Sequence, residues 1–175
     1  MDTKVTLYVP KLEDLWFRQE CMADPETMSY NAGYDVCTYD YHYDTGCIDF
    51  FEENHKSWFD KKKSDPNFYY AYILDKNTKK FVGYLNFKND PTSKSATMGI
   101  VVKNEYRGNG YMRLAMPLLL DEAKKRGVKF LTDTVPKSRD GALKVFFDLG
   151  FEKIDEFNSK KFNKDDLVYE IQKEL

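Results

Sequence analysis

Residues 99–112, GIVVKNEYRGNGYM, decide the fold of this chain. A strand-like apolar run from 96 to 102 leads directly into a loop that holds Gly108 and Gly110. The residues after the loop carry an apolar stripe at helical spacing, which predicts an amphipathic helix ending at Gly127. The stripe consists of Met112, Ala115, Met116, Leu119 and Ala123. The rest of the chain is interpreted outward from this strand, glycine loop and helix.

The glycine loop is a candidate anion site. Glycine allows backbone angles and a close approach that side chains forbid, so the loop can present unpaired amides. These amides and the positive end of the helix dipole favour a phosphate, and Arg107 and Arg113 add positive charge beside them. The alternative is an ordinary tight turn before a helix. Taken alone, residues 107–110 are equally consistent with such a turn.

The flanking sequence alternates between strand and helix patterns and shows no repeats. Strands are predicted at 5–9, 68–74, 81–87, 96–102, 130–135, 151–157 and 167–171, and helices at 11–23, 48–63, 111–126 and 140–149. Turn-forming residues at 75–78 make the second and third strands a hairpin. This order predicts an α+β fold in which helices flank a mixed, mostly antiparallel central sheet.

Length and composition indicate one domain, residues 1–175, with 42% hydrophobic and 32% charged residues. The longest apolar run, LAMPLLL at 114–120, is too short to span a membrane, and no secretory leader is visible. Cys21, Cys37 and Cys47 are odd in number and lack CxxC spacing, so we expect free thiols. A cytoplasmic location is the resulting expectation.

Two cysteines and two histidines fall within a short stretch, and they are Cys37, His42, Cys47 and His55. Two thiolates and two imidazoles are a donor set that zinc takes. The paired short spacing of zinc sites is missing, however. We therefore expect ordinary loop residues here and no metal.

The charges are unevenly distributed along the chain, although the net charge is only -2. Residues 19–55 contain nine acidic side chains and no lysine or arginine. A nucleic-acid-binding protein usually needs a concentrated basic face, so this distribution argues against nucleic acid as a partner. It indicates instead two ligands of opposite charge.

From about Phe68 to Phe151 the sequence resembles the GNAT-type acetyl-CoA-dependent N-acetyltransferases. The motif of that superfamily is Arg or Gln, two variable positions, Gly, one variable position, and Gly or Ala, between a strand and a helix. RGNGYM at 107–112 is similar to it, and ALKVFFDLGF at 142–151 is similar to the later helix that ends in Gly-Phe. The resemblance implies a GNAT-like fold and transfer of an acetyl group from acetyl-CoA to an amine, without a metal.

The resemblance also implies the cofactor contacts within residues 96–126. Main-chain groups of Ile100, Val101 and Val102 would pair with the pantetheine arm, as an added strand pairs with a sheet edge. Amides of the loop would hold the pyrophosphate, and they belong to Arg107, Gly108, Asn109, Gly110, Tyr111 and Met112. Met112 stands where the family prefers Gly or Ala. Arg139 stands where an Asn often contacts the cofactor, and an arginine there can meet a phosphate instead.

The catalytic groups depart from the family pattern. Phe146 occupies the position where many members place a tyrosine that protonates the departing thiolate, and Thr97 stands where several carry a glutamate base. An ammonium must lose a proton before it attacks, so an acceptor for that proton is needed. Asp133 is the candidate base, because strand alternation places it among apolar residues that would raise its pKa. The alternative is a carboxylate that pairs with Arg139 or caps a turn.

The resemblance also implies that the N-terminal region, here residues 19–55, shapes the acceptor pocket. Five tyrosines, Tyr30, Tyr34, Tyr39, Tyr41 and Tyr43, are interleaved there with Asp35, Asp40 and Asp44. Rings and carboxylates together suit a cation, so Tyr30, Tyr34 and Asp35 are predicted to bind a small cationic amine: a polyamine, an aminoglycoside-like or a lysine-type amine. The alternative is a solvated acidic loop. A non-catalytic CoA-binding sensor or interaction module with the same fold is the rival function. A homodimer is an open alternative to a monomer.

Overall fold

The computed structural model of the protein describes residues 4–36 and 38–175. Seven strands form one sheet in the order β1-β2-β3-β4-β5-β7-β6. The strands are β1 (Val5–Tyr8), β2 (Phe68–Asp75), β3 (Phe81–Asp90), β4 (Ser95–Val102), β5 (Phe130–Pro136), β6 (Glu152–Lys161) and β7 (Lys164–Glu174). The helices are α1 (Trp16–Ala23), α2 (Pro25–Met28), α3 (Glu52–Lys63), α4 (Tyr111–Lys125) and α5 (Asp140–Asp148). Only β4 and β5 are parallel neighbours, which confirms the predicted mixed, mostly antiparallel sheet.

The two faces of the sheet carry separate apolar cores because side chains alternate along each strand. On β2, Tyr69, Ala71 and Ile73 join the core on one face, and Tyr70 and Tyr72 join the core on the other. The apolar stripe of α4 covers the first face and α1 covers the second. Helix α4, which follows the glycine loop, therefore packs on the face opposite to α1.

The helices near the start of the chain begin later than their patterns predict. The segment predicted as a helix from 11 to 23 opens with a 3-10 turn at Leu12–Asp14, and α1 begins only at Trp16. The carboxylate of Asp14 holds this turn by accepting from the Lys11 amide at 2.9 Å and from the Tyr8 hydroxyl at 2.7 Å. Helix α3 begins at Glu52. Within the described residues, no helix is long and apolar enough to cross a membrane.

Strands β4 and β5 pair only at one end. Their register joins residues 95–97 to residues 130–132 and stops at Thr97 opposite Thr132. Beyond that point β4 remains paired to β3, and β5 remains paired to β7. The two strands therefore separate, and the edge of β4 from residue 98 to residue 102 faces a cleft instead of a neighbouring strand.

Candidate active site

Two cavities lie along the cleft between β4 and β5. The first, the loop cavity, measures about 730 Å³ and is bounded by β4, the glycine loop and the start of α5. The second, the sheet cavity, measures about 460 Å³ and is bounded by α1 and strands β3 to β7. Four residues line both cavities, and they are Tyr30, Ile100, Val101 and Arg139. Ligands in the two cavities can therefore meet at the middle of β4.

The glycine loop presents unpaired amides to the loop cavity. Gly108 and Gly110 have φ angles of 79° and 76°, which strain any residue that has a side chain. Asn109 closes the turn by donating to two carbonyls of the same loop, at 3.1 and 3.2 Å. In the described chain the amides of residues 108–113 have no acceptor, and the first that does is the Leu114 amide, 3.1 Å from the Gly110 carbonyl. Such amides at a helix N-terminus suit a phosphate.

The two arginines of the loop region are held by protein partners. The guanidinium of Arg107 donates to three main-chain carbonyls at 3.1, 3.1 and 2.6 Å, those of Val102, Glu26 and Thr27. Arg113 donates to the Asp148 carboxylate at 2.7 Å. We expected both side chains to add charge beside the anion site. Their positive charges remain near the anion site, but their N–H groups are used within the protein. Arg107 ties the loop to α2, and Arg113 ties α4 to α5. Direct hydrogen bonds to an anion are therefore expected from the loop amides, assisted by the helix dipole.

The first two residues of α4, Tyr111 and Met112, line the loop cavity, and their side chains also pack against the core. The hydroxyl of Tyr111 donates to the buried Asp75 carboxylate at 2.6 Å. Hydrogen bonding from Tyr111, and then from the Thr78 and Asn77 amides, lowers the pKa of Asp75 to about 2. Met112 is half-buried and packs against the core. The larger residue where the family prefers Gly or Ala is thus accommodated by the core.

The main chain of β4 offers an open edge to a ligand. Ile100, Val101 and Val102 are paired to β3 on one side, opposite Leu85, Tyr84 and Gly83. Their other side lies beyond the last β4–β5 pair, and all three residues line the loop cavity. An extended chain with amide groups, as in pantetheine, fits such an edge because it can add main-chain hydrogen bonds as a strand does.

Asp133 lies on β5, one residue beyond the last pair with β4, and lines the sheet cavity. Burial raises the pKa of its carboxyl to about 7, against the smaller opposing effects of the Thr134 amide and of Arg139. The Thr134 amide donates to Oδ1 at 2.8 Å. Among the described residues, no cationic group forms an ion pair with this carboxylate. A carboxyl group with this pKa beside the cleft is suited to accept a proton near neutral pH.

Phe146 and Thr97 take no part in either cavity. Phe146 is 2% exposed and packs edge to face on Phe151, with ring centroids 5.2 Å apart. Its side chain therefore points into the core, while Ala142 and Val145 of the same helix line the loop cavity. Thr97 is exposed at the last paired position of β4. Neither residue is therefore placed to contact a ligand in these two cavities.

The tyrosine-rich segment contributes two of its rings to the sheet cavity, Tyr30 and Tyr34. The hydroxyl of Tyr34 donates to the Asp166 carboxylate. Tyr41 instead donates to two main-chain carbonyls, Tyr43 packs on a phenylalanine ring, and Tyr39 is fully exposed. Asp35 is exposed and lines neither cavity. The structure thus brings Tyr30 and Tyr34 together but leaves Asp35 away from them.

Two arginines line the sheet cavity, and sequence reasoning missed the role of one of them. Arg139 lies over the ring of Tyr30, with its guanidinium carbon 5.1 Å from the ring centroid. Arg18 was not predicted as a site residue. The available signal was its position on the buried face of α1, three residues after Leu15 and four before Met22. A charged residue inside an apolar stripe is unusual, and such a position marks a candidate functional residue.

No group of three or more metal-ligating side chains occurs in the described part of the chain. Cys37, one of the four residues considered for zinc, lies outside the described residues. His42 pairs with Asp49 at 2.9 Å, His55 stacks on Phe50, and Cys47 is a buried free thiol. The expectation that no metal binds stays a prediction.

Comparison with known proteins gives a family and a set of similar folds. A sequence model described as the acetyltransferase (GNAT) family matches residues 31–151. No curated protein sequence matches the chain.

Three of the similar solved structures illustrate the fold. The spermidine N-acetyltransferase from Vibrio cholerae, in complex with CoA and spermine, is 16% identical, with 98% of this chain and 95% of that chain covered and a TM-score of 0.81. An N-acetyltransferase from Staphylococcus aureus Mu50 is 17% identical, with coverage of 97% and 98% and a TM-score of 0.74. A ribosomal-protein-alanine N-acetyltransferase from Brucella melitensis is 19% identical, with coverage of 97% and 99% and a TM-score of 0.73. At these identities the likeness concerns the fold.

Proposed function

This chain belongs to the acetyltransferase (GNAT) family, and on that premise we propose that it transfers the acetyl group of acetyl-CoA to a primary amine of a small acceptor. The observation that carries the proposal is the cleft between β4 and β5. Unpaired amides line one end of it, and a carboxyl group with a pKa raised to about 7 lines the other. The two cavities adjoin at Ile100 and Val101, where a donor and an acceptor could meet.

The residues of the loop cavity fit acetyl-CoA. The pyrophosphate would be held by the amides of the glycine loop, and the pantetheine arm by the free edge of β4. Arg139 lines the same cavity and has no carboxylate partner in the described residues, so its charge is free for a phosphate. We assign cofactor binding to residues 96–126 and acceptor binding to residues 19–55, within one acetyltransferase domain spanning 1–175.

Acetyl-CoA, when bound, supplies the acetyl group as a thioester, so that a C–N bond forms to the acceptor, the C–S bond breaks and CoA leaves as a thiolate. Asp133 accepts the proton that the acceptor's ammonium loses before attack, directly or through a water molecule. The second proton, which the nitrogen loses as the amide forms, passes to the departing thiolate or to water. The Asp133 pKa of about 7 keeps a useful fraction of the carboxylate available at neutral pH. Phe146 is buried and supplies no proton, so the thiolate leaves without a side-chain acid at that position.

The acceptor proposed here is a small amine in the sheet cavity, with Tyr30 and Tyr34 as ring contacts. The similar enzyme from Vibrio cholerae holds spermine, which supports a small amine acceptor. The cationic amine, the cytoplasmic location and the homodimer stay predictions from the sequence. The rival function remains a non-catalytic module that binds CoA, since the family's usual glutamate and tyrosine are both replaced.

The decisive experiment measures release of CoA thiol from acetyl-CoA in the presence of a panel of amines, with mass spectrometry of the acetylated products. We expect thiol release that depends on both acetyl-CoA and an amine. Calorimetry with CoA is run in parallel. Tight CoA binding without acetylation of any amine in the panel would favour the non-catalytic module over the enzyme.

A further inference from the structure

Arg18 lines the sheet cavity, and its guanidinium packs among four aromatic side chains, of which Tyr84 also lines this cavity. Its carbon lies 4.4 to 5.7 Å from four ring centroids, those of Trp58, Phe50, Tyr70 and Tyr84. Nη1 donates to the Tyr70 hydroxyl at 3.2 Å. Nε is buried and has no hydrogen-bond partner. One of the donors of this cation is therefore left without an acceptor.

A buried charge is usually paired, because removing it from water is costly. The aromatic rings around Arg18 offset part of that cost through cation–π contacts. They provide no acceptor for its remaining hydrogens, and no carboxylate in the described residues lies within 4.0 Å of this guanidinium. Arg18 is thus a cation that lines the cavity, packs on aromatic rings and has no carboxylate partner among the described residues.

The charges that line the sheet cavity are unequal. Arg18 and Arg139 are both cationic, and Asp133 is the single lining carboxyl group in the described chain. With its pKa near 7, Asp133 carries only part of a negative charge at neutral pH. Asp35 of the acidic segment lines neither cavity. Since the charge of Arg139 is assigned to a phosphate of the cofactor, Arg18 is the lining cation left to attract an acceptor that carries a negative charge.

We propose that the acceptor is an amine that also carries a carboxylate, of the amino-acid type, with the carboxylate bound by Arg18 and the amine directed to Asp133. This inference rests on the proposed acetyltransferase function and deepens it. Arginine favours a carboxylate because its planar fork matches the two carboxylate oxygens. Of the acceptor classes expected from the sequence, only the lysine-type amine has both groups.

The test compares acceptors of equal chain length that differ in one terminal group: an ω-aminoalkanoate, the matching amino alcohol and the matching diamine. The wild-type kcat/KM should favour the aminoalkanoate over the alcohol by about 10- to 100-fold, the range of a hydrogen bond to a charged group. An α-amino acid and its carboxamide extend the comparison to acceptors in which the two groups are adjacent. The matching aminoalkyl phosphate separates carboxylate from phosphate as the source of the anion, and a preference for it would overturn the carboxylate assignment.

The variant Arg18→Gln should abolish the preference for the aminoalkanoate, and Arg18→Lys should keep part of it. The ratio of two kcat/KM values within one preparation does not depend on how much of the variant is folded. Arg126→Gln is the matched control, because Arg126 also lies over a tyrosine ring but lines neither cavity of the cleft. Its ratio should equal that of the wild type.

The outcomes separate this inference from the function on which it rests. If amines are acetylated but the diamine is preferred to the aminoalkanoate in the wild type, the inference is wrong and the acetyltransferase function stands. An unchanged ratio in a folded Arg18→Gln protein would also overturn it. If neither this series nor the wider amine panel causes release of CoA thiol, the proposed function itself fails.

Discussion

A carboxyl group that is buried without a cationic partner holds its proton to higher pH than one in water. Asp133 is half-buried beside the cleft and has no ion-pair partner among the described residues, and burial raises its pKa to about 7. In the unfolded chain the same group titrates near about 3.9. Between these two values the folded protein binds the proton more strongly than the unfolded chain does. The contribution of Asp133 to stability is therefore fully present at low pH and is lost as the pH rises toward about 7.

Asp133→Asn keeps the size of the side chain and removes its basicity. We expect turnover at neutral pH to fall about 100-fold, the usual scale for loss of a general base, while CoA affinity is unchanged. Higher pH should restore part of the activity, because more of the amine is then neutral. The variant should also be more stable than the wild type above pH 7, since it buries no charge. Rate profiles and urea unfolding over a pH series measure both effects.

Asp121→Asn is the control for this prediction, because Asp121 is exposed on α4 and lines neither cavity of the cleft. Its rate profile should match the wild type. Unchanged turnover and an unchanged profile in a folded Asp133→Asn protein would mean that another group or solvent takes the proton.

Individual residues of the site could be predicted where a local sequence pattern identifies them. Alternation with Leu131 and Val135 indicated that Asp133 would be desolvated, and its raised pKa agrees with that. Arg18 was missed because helical periodicity was used only to find apolar positions. Asp35 was grouped with the neighbouring tyrosines by sequence distance, and the chain direction after Tyr34 carries it into solvent.

At the scale of elements, the anion site depends on the left-handed glycine that begins α4. Gly110→Ala adds a methyl group that meets no protein atom within 4 Å, so its effect on the ligand-free chain comes from the backbone angle alone. That angle costs a non-glycine residue about 1–2 kcal/mol. Because the methyl group lies where the loop would approach the pyrophosphate, we expect CoA affinity to fall at least about tenfold, as for loss of a charged hydrogen bond. Calorimetry with CoA measures the affinity, and urea unfolding measures the stability.

Gly127→Ala provides the matched control. Gly127 follows the other end of α4, has a φ angle of 77°, and likewise has no atom within 4 Å of an added Cβ. It should lose similar stability and keep its CoA affinity. Equal affinities in both variants would mean that the loop does not hold the pyrophosphate.

Elements were predicted best where burial is extensive. Strands β2 and β3 were recognised as runs of β-forming residues, most of which are buried, and α4 was recognised by its apolar stripe. Strand β6 was predicted too short, since it is an edge strand whose residues are nearly all exposed. Its pairing with β7 is a main-chain interaction that leaves little trace in the sequence.

The cleft is a property of the whole molecule and could not be predicted from periodicity. The apolar pattern of β4 is continuous across the point where pairing with β5 stops, at Thr97 opposite Thr132. The two strands diverge because, beyond this point, β4 pairs with β3 and β5 pairs with β7. The cofactor-binding role expected for residues 100–102 came from the family resemblance and not from local sequence patterns.

A buried charge network connects distant parts of the molecule. Asp75, at the end of β2, accepts from the Tyr111 hydroxyl at 2.6 Å and lies 3.4 Å from the ammonium of Lys4. It therefore joins the start of the chain, the β2–β3 hairpin and the beginning of α4. Its other carboxylate oxygen, Oδ1, accepts from the amides of Asn77 and Thr78 at 2.8 and 3.1 Å. The Tyr111 hydrogen bond and then these amides lower the pKa of Asp75 to about 2.

The variant Asp75→Asn tests how far this network stabilises the fold. A folded-state pKa below the unfolded value of about 3.9 adds stability above that pH and loses it as the pH falls through about 2. We therefore expect Asp75→Asn to be less stable than the wild type at neutral pH, with the difference shrinking between about pH 4 and pH 2. Urea unfolding over that range measures it, with Asp60→Asn, which breaks an exposed ion pair to Lys56, as a control that should change little. A stability difference that stays constant down to pH 2 would show that Asp75 acts through packing and not through its charge.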